Sequence, residues 1–163
     1  MNDDIEALVA ALADALRRAG LKIATAESCT GGLIAGACTT VAGSSDWFER
    51  GFVTYSNEAK TEMLGVAPAL IAEHGAVSEP VARAMAEAAL ARSHAQLAVA
   101  VTGVAGPGGG SPSKPVGTVW LALARTGRAT RAELLKLDGD RRAIRERTVQ
   151  HALQRLLDAA RAD

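Results

Sequence analysis

One short stretch of the sequence combines hydroxyl and thiol side chains with a pair of glycines. It has the sequence TAESCTGG over residues 25–32. A strand that turns into a helix through glycines leaves backbone N–H groups free, and these can hold a phosphate or an oxyanion. Ser28 could be a nucleophile there, or Ser28 or Thr30 could simply cap the helix. The stretch is not a serine-hydrolase elbow of the G-x-S-x-G kind, because Ala26 and Thr30 occupy the glycine positions.

A second stretch, GFVTYSNEAK over residues 51–60, ends at a lysine. Ser56 or Asn57 is a suitable N-cap, so we expect Lys60 in the first turn of a helix. The positive end of the helix dipole disfavours a charged lysine at that place and favours the neutral amine that a base requires. Lys60 is then either a solvated surface lysine or the base for Ser28. The chain has only 4 lysines against 14 arginines, so a lysine at this position favours a role that an arginine could not fill.

A third stretch, TGVAGPGGG from Thr102, opens a long glycine-rich loop that reaches Gly117. The loop is not a Walker A motif, because Lys114 is followed by Pro115 and the glycine spacing differs. It is either a flexible connection or a place where a ligand approaches the backbone closely.

A fourth short motif, DGDR over residues 138–141, links a strand to the last helix. Arg141 could bind a phosphate or pair with a carboxylate, and the residues alone leave both alternatives open.

The histidines and cysteines do not suggest a triad or a metal site. We expect His94 and His151 to be surface or packing residues and His74 to lie in a loop. No motif places a histidine beside Ser28 as a Ser-His-Asp triad requires. The 2 cysteines are too few for a disulfide scaffold, and no spacing typical of zinc ligands is present. We therefore predict neither a metal nor a cofactor, and we prefer Lys60 as the base.

The order of predicted elements indicates how these segments come together. Strands and helices alternate, which predicts helices on both faces of a central sheet, and a hairpin near residues 126–127 makes that sheet mixed. Segments that end at Ser28, Tyr55 and Thr102 each follow a strand, so we expect them to meet at the carboxyl edge of the sheet. The strands are predicted over 22–26, 48–55, 97–102, 116–124 and 130–137, and the helices over 4–19, 33–41, 57–64, 80–93 and 140–160.

Composition narrows the class of protein. The chain has 163 residues, with 18 basic and 18 acidic side chains, so its formal charge is zero. A nucleic-acid-binding protein usually has a basic excess, so the composition disfavours nucleic acid as a partner. No apolar run approaches the roughly 18–20 residues that span a bilayer, and the acidic start lacks the n-region of a signal peptide. We predict a cytoplasmic protein with one domain over residues 1–163 and no membrane partner.

Taken together, the motifs resemble the C-terminal domain of the competence-damage-inducible CinA family. The matching stretches are AESCTGG around Ser28, GFVTYSNEAK ending at Lys60, AVTGVAGPGG from Ala100 and GDR ending at Arg141. The resemblance covers nearly the whole chain in the same order. It implies a three-layer α/β/α sandwich with a mixed, mainly parallel central sheet, commonly in homodimers. It also implies hydrolysis of the amide of nicotinamide mononucleotide to nicotinic acid mononucleotide and ammonia.

The same resemblance implies roles for individual residues. Ser28 is the implied nucleophile and Lys60 its base, and the Thr102 hydroxyl is expected to bridge or orient them. Tyr55, Thr30 and Asn57 are expected to hold the nucleotide, and Arg141 its phosphate. The residues implied at the substrate or oxyanion are Thr30, Gly31, Gly32, Tyr55, Asn57, Gly103 and Arg141.

Two other classes of function compete with this hypothesis. A non-catalytic module could use the same loops to hold a nucleotide or phosphate without turnover. An accessory role in DNA uptake or repair, suggested by the family name, fits poorly with zero net charge and few aromatic residues. Release of ammonia from the mononucleotide distinguishes an amidase from both.

Overall fold

Helices and strands alternate along a computed structural model that describes residues 2–162. The strands are β1 Ile23–Glu27, β2 Phe48–Val53, β3 Leu97–Gly103, β4 Thr118–Arg125 and β5 Arg131–Lys136. The helices are α1 Asp3–Ala19, α2 Leu33–Cys38, α3 Asn57–Leu64, α4 Pro68–His74, α5 Glu79–Ala91 and α6 Arg141–Arg161, with a 3-10 turn over Ser44–Asp46.

The five strands form one mixed sheet in the order β2-β1-β3-β4-β5. Strand β1 lies parallel to both β2 and β3, whereas β4 runs antiparallel to β3 and to β5. Only β4 therefore opposes the common direction of the other four. Helices α1 and α6 pack on one face and α5 on the other, which confirms the predicted three-layer α/β/α sandwich.

The two faces of β3 show why the layers differ. Its larger side chains, Leu97, Val99 and Val101, belong to the core beneath α1 and α6. The alternate positions, Ala98 and Ala100, face the core beneath α5. Side chains alternate across a strand, so a Val/Ala repeat builds one thick and one thin apolar layer. The alanine face lets α5 lie close to the sheet.

Several local predictions differ from the structure. Helix α4 was not predicted, because a seven-residue helix that begins at Pro68 without a side-chain cap shows too few turns for an apolar period. As a result His74, which we expected in a loop, is the last residue of α4. Helix α2 ends at Cys38 rather than residue 41, and β2 ends at Val53, before Tyr55. No helix among residues 2–162 has the length and apolar composition that crossing a membrane requires.

Candidate active site

Ser28 lies at the carboxyl edge of the sheet, between its two central parallel strands. It follows β1 directly, and its N–H donates to the Val101 carbonyl of β3 at 3.1 Å. The pairing of β1 with β3 thus continues through Ser28 and fixes its backbone. The residue is 8% exposed, so the hydroxyl is nearly enclosed.

Lys60 reaches Ser28 from the start of α3. The Ser56 hydroxyl caps this helix by accepting from the Ala59 N–H at 3.0 Å. Helical side chains lean toward the N-terminus, so the Lys60 side chain folds back across the first turn. Its Nζ lies 2.9 Å from Ser28 Oγ, and the residue is only 1% exposed. The predicted first-turn position and the predicted pairing with Ser28 both agree with this geometry.

Backbone carbonyls hold the Lys60 amine in place. Nζ donates to the Thr54 carbonyl at 2.8 Å and to the Tyr55 carbonyl at 3.2 Å, with Ser56 O at 3.5 Å. The Thr54 N–H in turn donates to the Glu27 carbonyl, which ties this segment to β1. The amine is therefore held by rigid main chain, and no carboxylate among residues 2–162 accepts from it.

Burial lowers the pKa of Lys60, because desolvation penalises the ammonium; negative charge on the nearby Cys29 sulfur acts in the opposite direction. A neutral amine can donate two N–H groups to the Thr54 and Tyr55 carbonyls and keep its lone pair for the Ser28 hydroxyl. An ammonium can donate to all three oxygens, while Ser28 Oγ turns to the Tyr55 carbonyl at 3.5 Å. Both protonation states are satisfied, which suits a group that takes up and returns a proton.

The turn after Ser28 supplies free backbone donors. Gly31 and Gly32 have φ of +57° and +103°, a region that favours glycine, and they lead into α2. The Gly31 N–H donates to the Ser28 carbonyl at 3.0 Å, so it is not the free oxyanion donor we expected. The N–H groups of Cys29, Thr30 and Gly32 donate to no backbone carbonyl within residues 2–162.

Gly103 is explained by packing against β4. A Cβ at this position would lie 2.6 Å from Val119 Cγ2 and 2.9 Å from the Thr118 carbonyl. The close approach of the two strands requires a glycine there. Nothing in this geometry calls for Gly103 as an oxyanion donor.

Glu27, rather than Ser28 or Thr30, caps α2. Its buried carboxylate accepts from the N–H groups of Ile34 and Ala35, both at 2.9 Å. It also accepts from the Thr30 hydroxyl at 2.6 Å. The Thr30 side chain is fully buried on this carboxylate, so it does not face a nucleotide as expected; only its backbone N–H is available.

Thr102 is buried at the end of β3, but its hydroxyl points away from Ser28 and Lys60. It donates to the Ala76 carbonyl at 3.0 Å. Within the described chain it makes no hydrogen bond to Ser28 or Lys60, contrary to the expected bridging role. In this arrangement Thr102 anchors the segment between α4 and α5 to the sheet.

Tyr55 links Arg141 to the Ser28–Lys60 pair, because its carbonyl accepts from Lys60 Nζ and its ring hydroxyl contacts Arg141. Arg141 donates from Nη2 to the Tyr55 hydroxyl at 3.2 Å and from Nη1 to the Gly106 carbonyl at 2.8 Å. It pairs with no carboxylate among residues 2–162, which disfavours the ion-pair alternative. Tyr55 is 60% exposed, and Asn57 is exposed at the first position of α3. The structure thus brings Tyr55 and Arg141 into contact, and Asn57 lies two residues beyond Tyr55 along the chain.

Sequence reasoning missed Glu27 and Arg145. Arg145, on α6, donates from Nε to the Cys29 carbonyl and from Nη2 to the Thr30 carbonyl, both at 3.2 Å. Glu27 had a usable signal, since an acid between a buried strand and a glycine turn can cap the next helix. Arg145 had none, because it is one of 14 arginines and lies far along the chain from the turn that it holds.

Cys29 is a poor nucleophile despite its place beside Ser28. It is buried, and burial raises the pKa of its thiol to about 12, so the thiolate is scarce at neutral pH. Cys38 is likewise buried, and both thiols are free. Residues 2–162 hold no group of three His, Cys, Asp or Glu side chains that could bind a metal ion.

The fold and site define an α/β/α protein with a buried Ser–Lys pair at the carboxyl edge of its sheet. The sequence model of the CinA C-terminal domain matches residues 5–160, and the chain belongs to that family. It is 55% identical to the nicotinamide-nucleotide amidohydrolase PncC of Pseudomonas putida, over 95% of this chain and 96% of that protein. The Escherichia coli K12 protein of the same name is 55% identical over 87% of this chain and 86% of its own length.

Longer relatives and a solved structure agree with the family assignment. A CinA-like protein of Akkermansia muciniphila is 58% identical over 91% of this chain, which spans only 36% of that relative. The crystal structure of the competence/damage inducible protein CihA from Agrobacterium tumefaciens superposes with a TM-score of 0.95. That protein is 48% identical, and the match covers 99% of this chain and 98% of that one.

Proposed function

We propose that this chain is a nicotinamide-nucleotide amidohydrolase, which converts nicotinamide mononucleotide to nicotinic acid mononucleotide and ammonia. The observation that carries the proposal is the 2.9 Å contact between buried Lys60 Nζ and Ser28 Oγ. The names of the Pseudomonas putida and Escherichia coli relatives, which this chain matches over most of their own lengths, supply the substrate.

The first half of the reaction transfers the acyl group to Ser28. Neutral Lys60 takes the hydroxyl proton while Ser28 Oγ bonds to the carboxamide carbon, and the carbonyl oxygen becomes an oxyanion. The tetrahedral intermediate then collapses and the C–N bond breaks. Lys60 returns the proton to the leaving nitrogen, so ammonia departs and an ester remains on Ser28.

The second half releases the acid. A water molecule attacks the ester carbon and gives its proton to Lys60. The C–O bond to Ser28 breaks, Lys60 returns the proton to Ser28 Oγ, and nicotinic acid mononucleotide leaves. Atoms and charges balance with water as the only co-reactant, so the proposal requires no metal or cofactor.

Tyr55, Arg141 and Asn57 are the proposed contacts for the rest of the mononucleotide. The exposed ring of Tyr55 offers an aromatic face to the pyridinium, a cation–π contact. Arg141 retains guanidinium donors for the phosphate, and Asn57 adds an amide for polar groups of the nucleotide. The pyridinium is itself a cation, so its binding near Lys60 lowers the lysine pKa further.

The proposed enzyme is a cytoplasmic homodimer. The family resemblance supports the dimer, and the two free buried thiols suit a reducing compartment such as the cytoplasm. Size-exclusion chromatography with light scattering tests the dimer directly, and a monomeric mass at assay concentration would remove that part of the proposal.

Ammonia release tests the proposed activity. Purified protein is incubated with nicotinamide mononucleotide, with and without a chelator, and ammonia and nicotinic acid mononucleotide are quantified. We expect equimolar products at the same rate in both samples. Binding of the mononucleotide without product would identify a non-catalytic module, and loss of turnover in chelator that a divalent ion restores would identify metal-dependent chemistry.

A further inference from the structure

Two side chains outside the Ser28–Lys60 pair hold the turn that carries the nucleophile. Glu27 binds the turn through the Thr30 hydroxyl and binds the start of α2 through two N–H groups. Arg145 reaches from α6 and donates to the carbonyls of Cys29 and Thr30. The turn therefore donates to a carboxylate through the Thr30 hydroxyl and accepts from a guanidinium through two carbonyls.

The Glu27 carboxylate occupies backbone N–H donors at the start of α2, so these donors cannot bind an oxyanion. The N–H groups of Ile34 and Ala35, which would otherwise be free donors at the start of α2, both donate to its carboxylate. An oxyanion that forms on a substrate bonded to Ser28 must find its donors elsewhere. The free N–H groups nearest along the chain are those of Cys29 and Thr30.

The directions of these two N–H groups are set by the carbonyls that precede them. In a trans peptide the C=O and the following N–H point in opposite directions in one plane. The Ser28 carbonyl accepts from the Gly31 N–H, and this hydrogen bond sets the direction of the Cys29 N–H. The Cys29 carbonyl accepts from Arg145 Nε at 3.2 Å, and this hydrogen bond sets the direction of the Thr30 N–H.

We propose that Arg145 and Glu27 are positioning residues that fix the N–H groups of Cys29 and Thr30 as the oxyanion hole for attack by Ser28. This inference rests on the proposed acyl transfer to Ser28. Neither side chain touches the substrate; each acts through the backbone of residues 28–32. Donors fixed in advance stabilise the developing negative charge without reorganisation during the reaction.

Arg145→Lys is the first test. Lysine keeps the charge but lacks the planar fork that bridges two carbonyls. We expect kcat for ammonia release to fall by about 10- to 100-fold, because one oxyanion donor is commonly worth about 10²–10³. KM should stay within about threefold and the apparent pKa in kcat/KM should not move, because Lys60 and the proposed substrate contacts Tyr55, Asn57 and Arg141 are unchanged.

Arg155→Lys is the matched control on the same helix. Arg155 is half-buried like Arg145, but it pairs with Glu133 and Asp158 far along α6 from the turn. Its replacement by lysine removes a half-buried guanidinium that contacts neither Ser28, Lys60 nor the turn over residues 28–32. We expect kcat and KM to remain at wild-type values.

Glu27→Gln is the second variant, so that the proposal does not depend on one substitution. Glutamine keeps the shape, but its NH₂ replaces one acceptor and faces a backbone N–H. We again expect a loss in kcat rather than in KM. Melting temperature and circular dichroism establish how much of each variant is folded at the assay temperature.

Labelling of Ser28 by a fluorophosphonate separates this inference from the proposed substrate. In that reaction Ser28 Oγ bonds to phosphorus, fluoride leaves and Lys60 takes the proton, while the phosphoryl oxygen needs the same donors. We expect Arg145→Lys and Glu27→Gln to slow labelling as they slow turnover, and Arg155→Lys to leave it unchanged. If the wild type labels but releases no ammonia, the substrate is wrong and the labelling ratios alone decide the positioning role.

Several results overturn the inference. Folded variants with wild-type kcat and labelling rates would show that the turn needs neither side chain. A change in KM alone, or losses that only follow the unfolded fraction in both variants, would assign the residues to binding or to stability. A wild type that neither labels nor releases ammonia would leave no activated nucleophile to position, and both proposals would fall.

Discussion

At the scale of single residues, the proposed acyl transfer to Ser28 depends on the protonation of Lys60. A lysine base must be neutral for part of the time at working pH, and an unperturbed lysine has a pKa of about 10.4. Burial against carbonyls, with no carboxylate partner among residues 2–162, lowers this pKa. Arginine stays protonated at any workable pH, so Lys60→Arg separates a base from a fixed positive charge.

For Lys60→Arg we expect kcat to collapse by about 10²–10⁴, the usual contribution of a general base. Binding of the mononucleotide, measured by calorimetry, should be largely kept. Substantial turnover in a folded arginine variant would show that Lys60 supplies charge rather than basicity.

The lowered pKa of Lys60 also predicts a pH dependence of stability. Between the lowered pKa in the folded state and about 10.4 in the unfolded chain, the unfolded state binds the extra proton, so stability rises with pH. We expect the free energy of unfolding of the wild type, relative to Lys60→Met, to increase as the pH rises through this window toward about 10. A difference that stays flat with pH in denaturant titrations would contradict a lowered pKa.

At the scale of elements, alanine substitutions at two glycines around α2 should change the free energy of unfolding in opposite directions. Gly32 has φ of +103°, where alanine is strained, whereas Gly36 lies inside the helix and a Cβ added there would meet nothing within 4 Å. We expect Gly32→Ala to lower the free energy of unfolding by about 1–2 kcal/mol. Gly36→Ala should raise it by about 0.5–1 kcal/mol. Equal effects in urea unfolding would contradict this description of the turn.

Elements and pairings at the site differ in how far the sequence predicts them. The cap at Ser56 and the strand before Ser28 follow from local residue types, whereas the pairing of Ser28 with Lys60 was implied by the family resemblance. Neither source predicted the partner of the Thr102 hydroxyl or the hydrogen bonds from Arg145. Both depend on contacts between segments distant in the chain, which local patterns do not encode.

At the scale of the whole molecule, both thiols are enclosed by the layers of the sandwich. Cys29 and Cys38 are buried, and burial raises the pKa of each to about 12. We expect a thiol reagent such as an aromatic disulfide to react with neither cysteine in the folded protein, to react with both after unfolding in denaturant, and to leave ammonia release unchanged. Rapid loss of activity with modification of Cys29 would point to a cysteine nucleophile instead.

Ammonia release by Ser28→Ala is the decisive test of Ser28 as the nucleophile of an amidohydrolase. The variant removes one nearly enclosed hydroxyl, so we expect a folded protein that still binds nicotinamide mononucleotide. Its kcat should fall by at least about 10³, as in other enzymes with an activated serine. A folded Ser28→Ala protein whose kcat stays within about tenfold of the wild type would contradict the account.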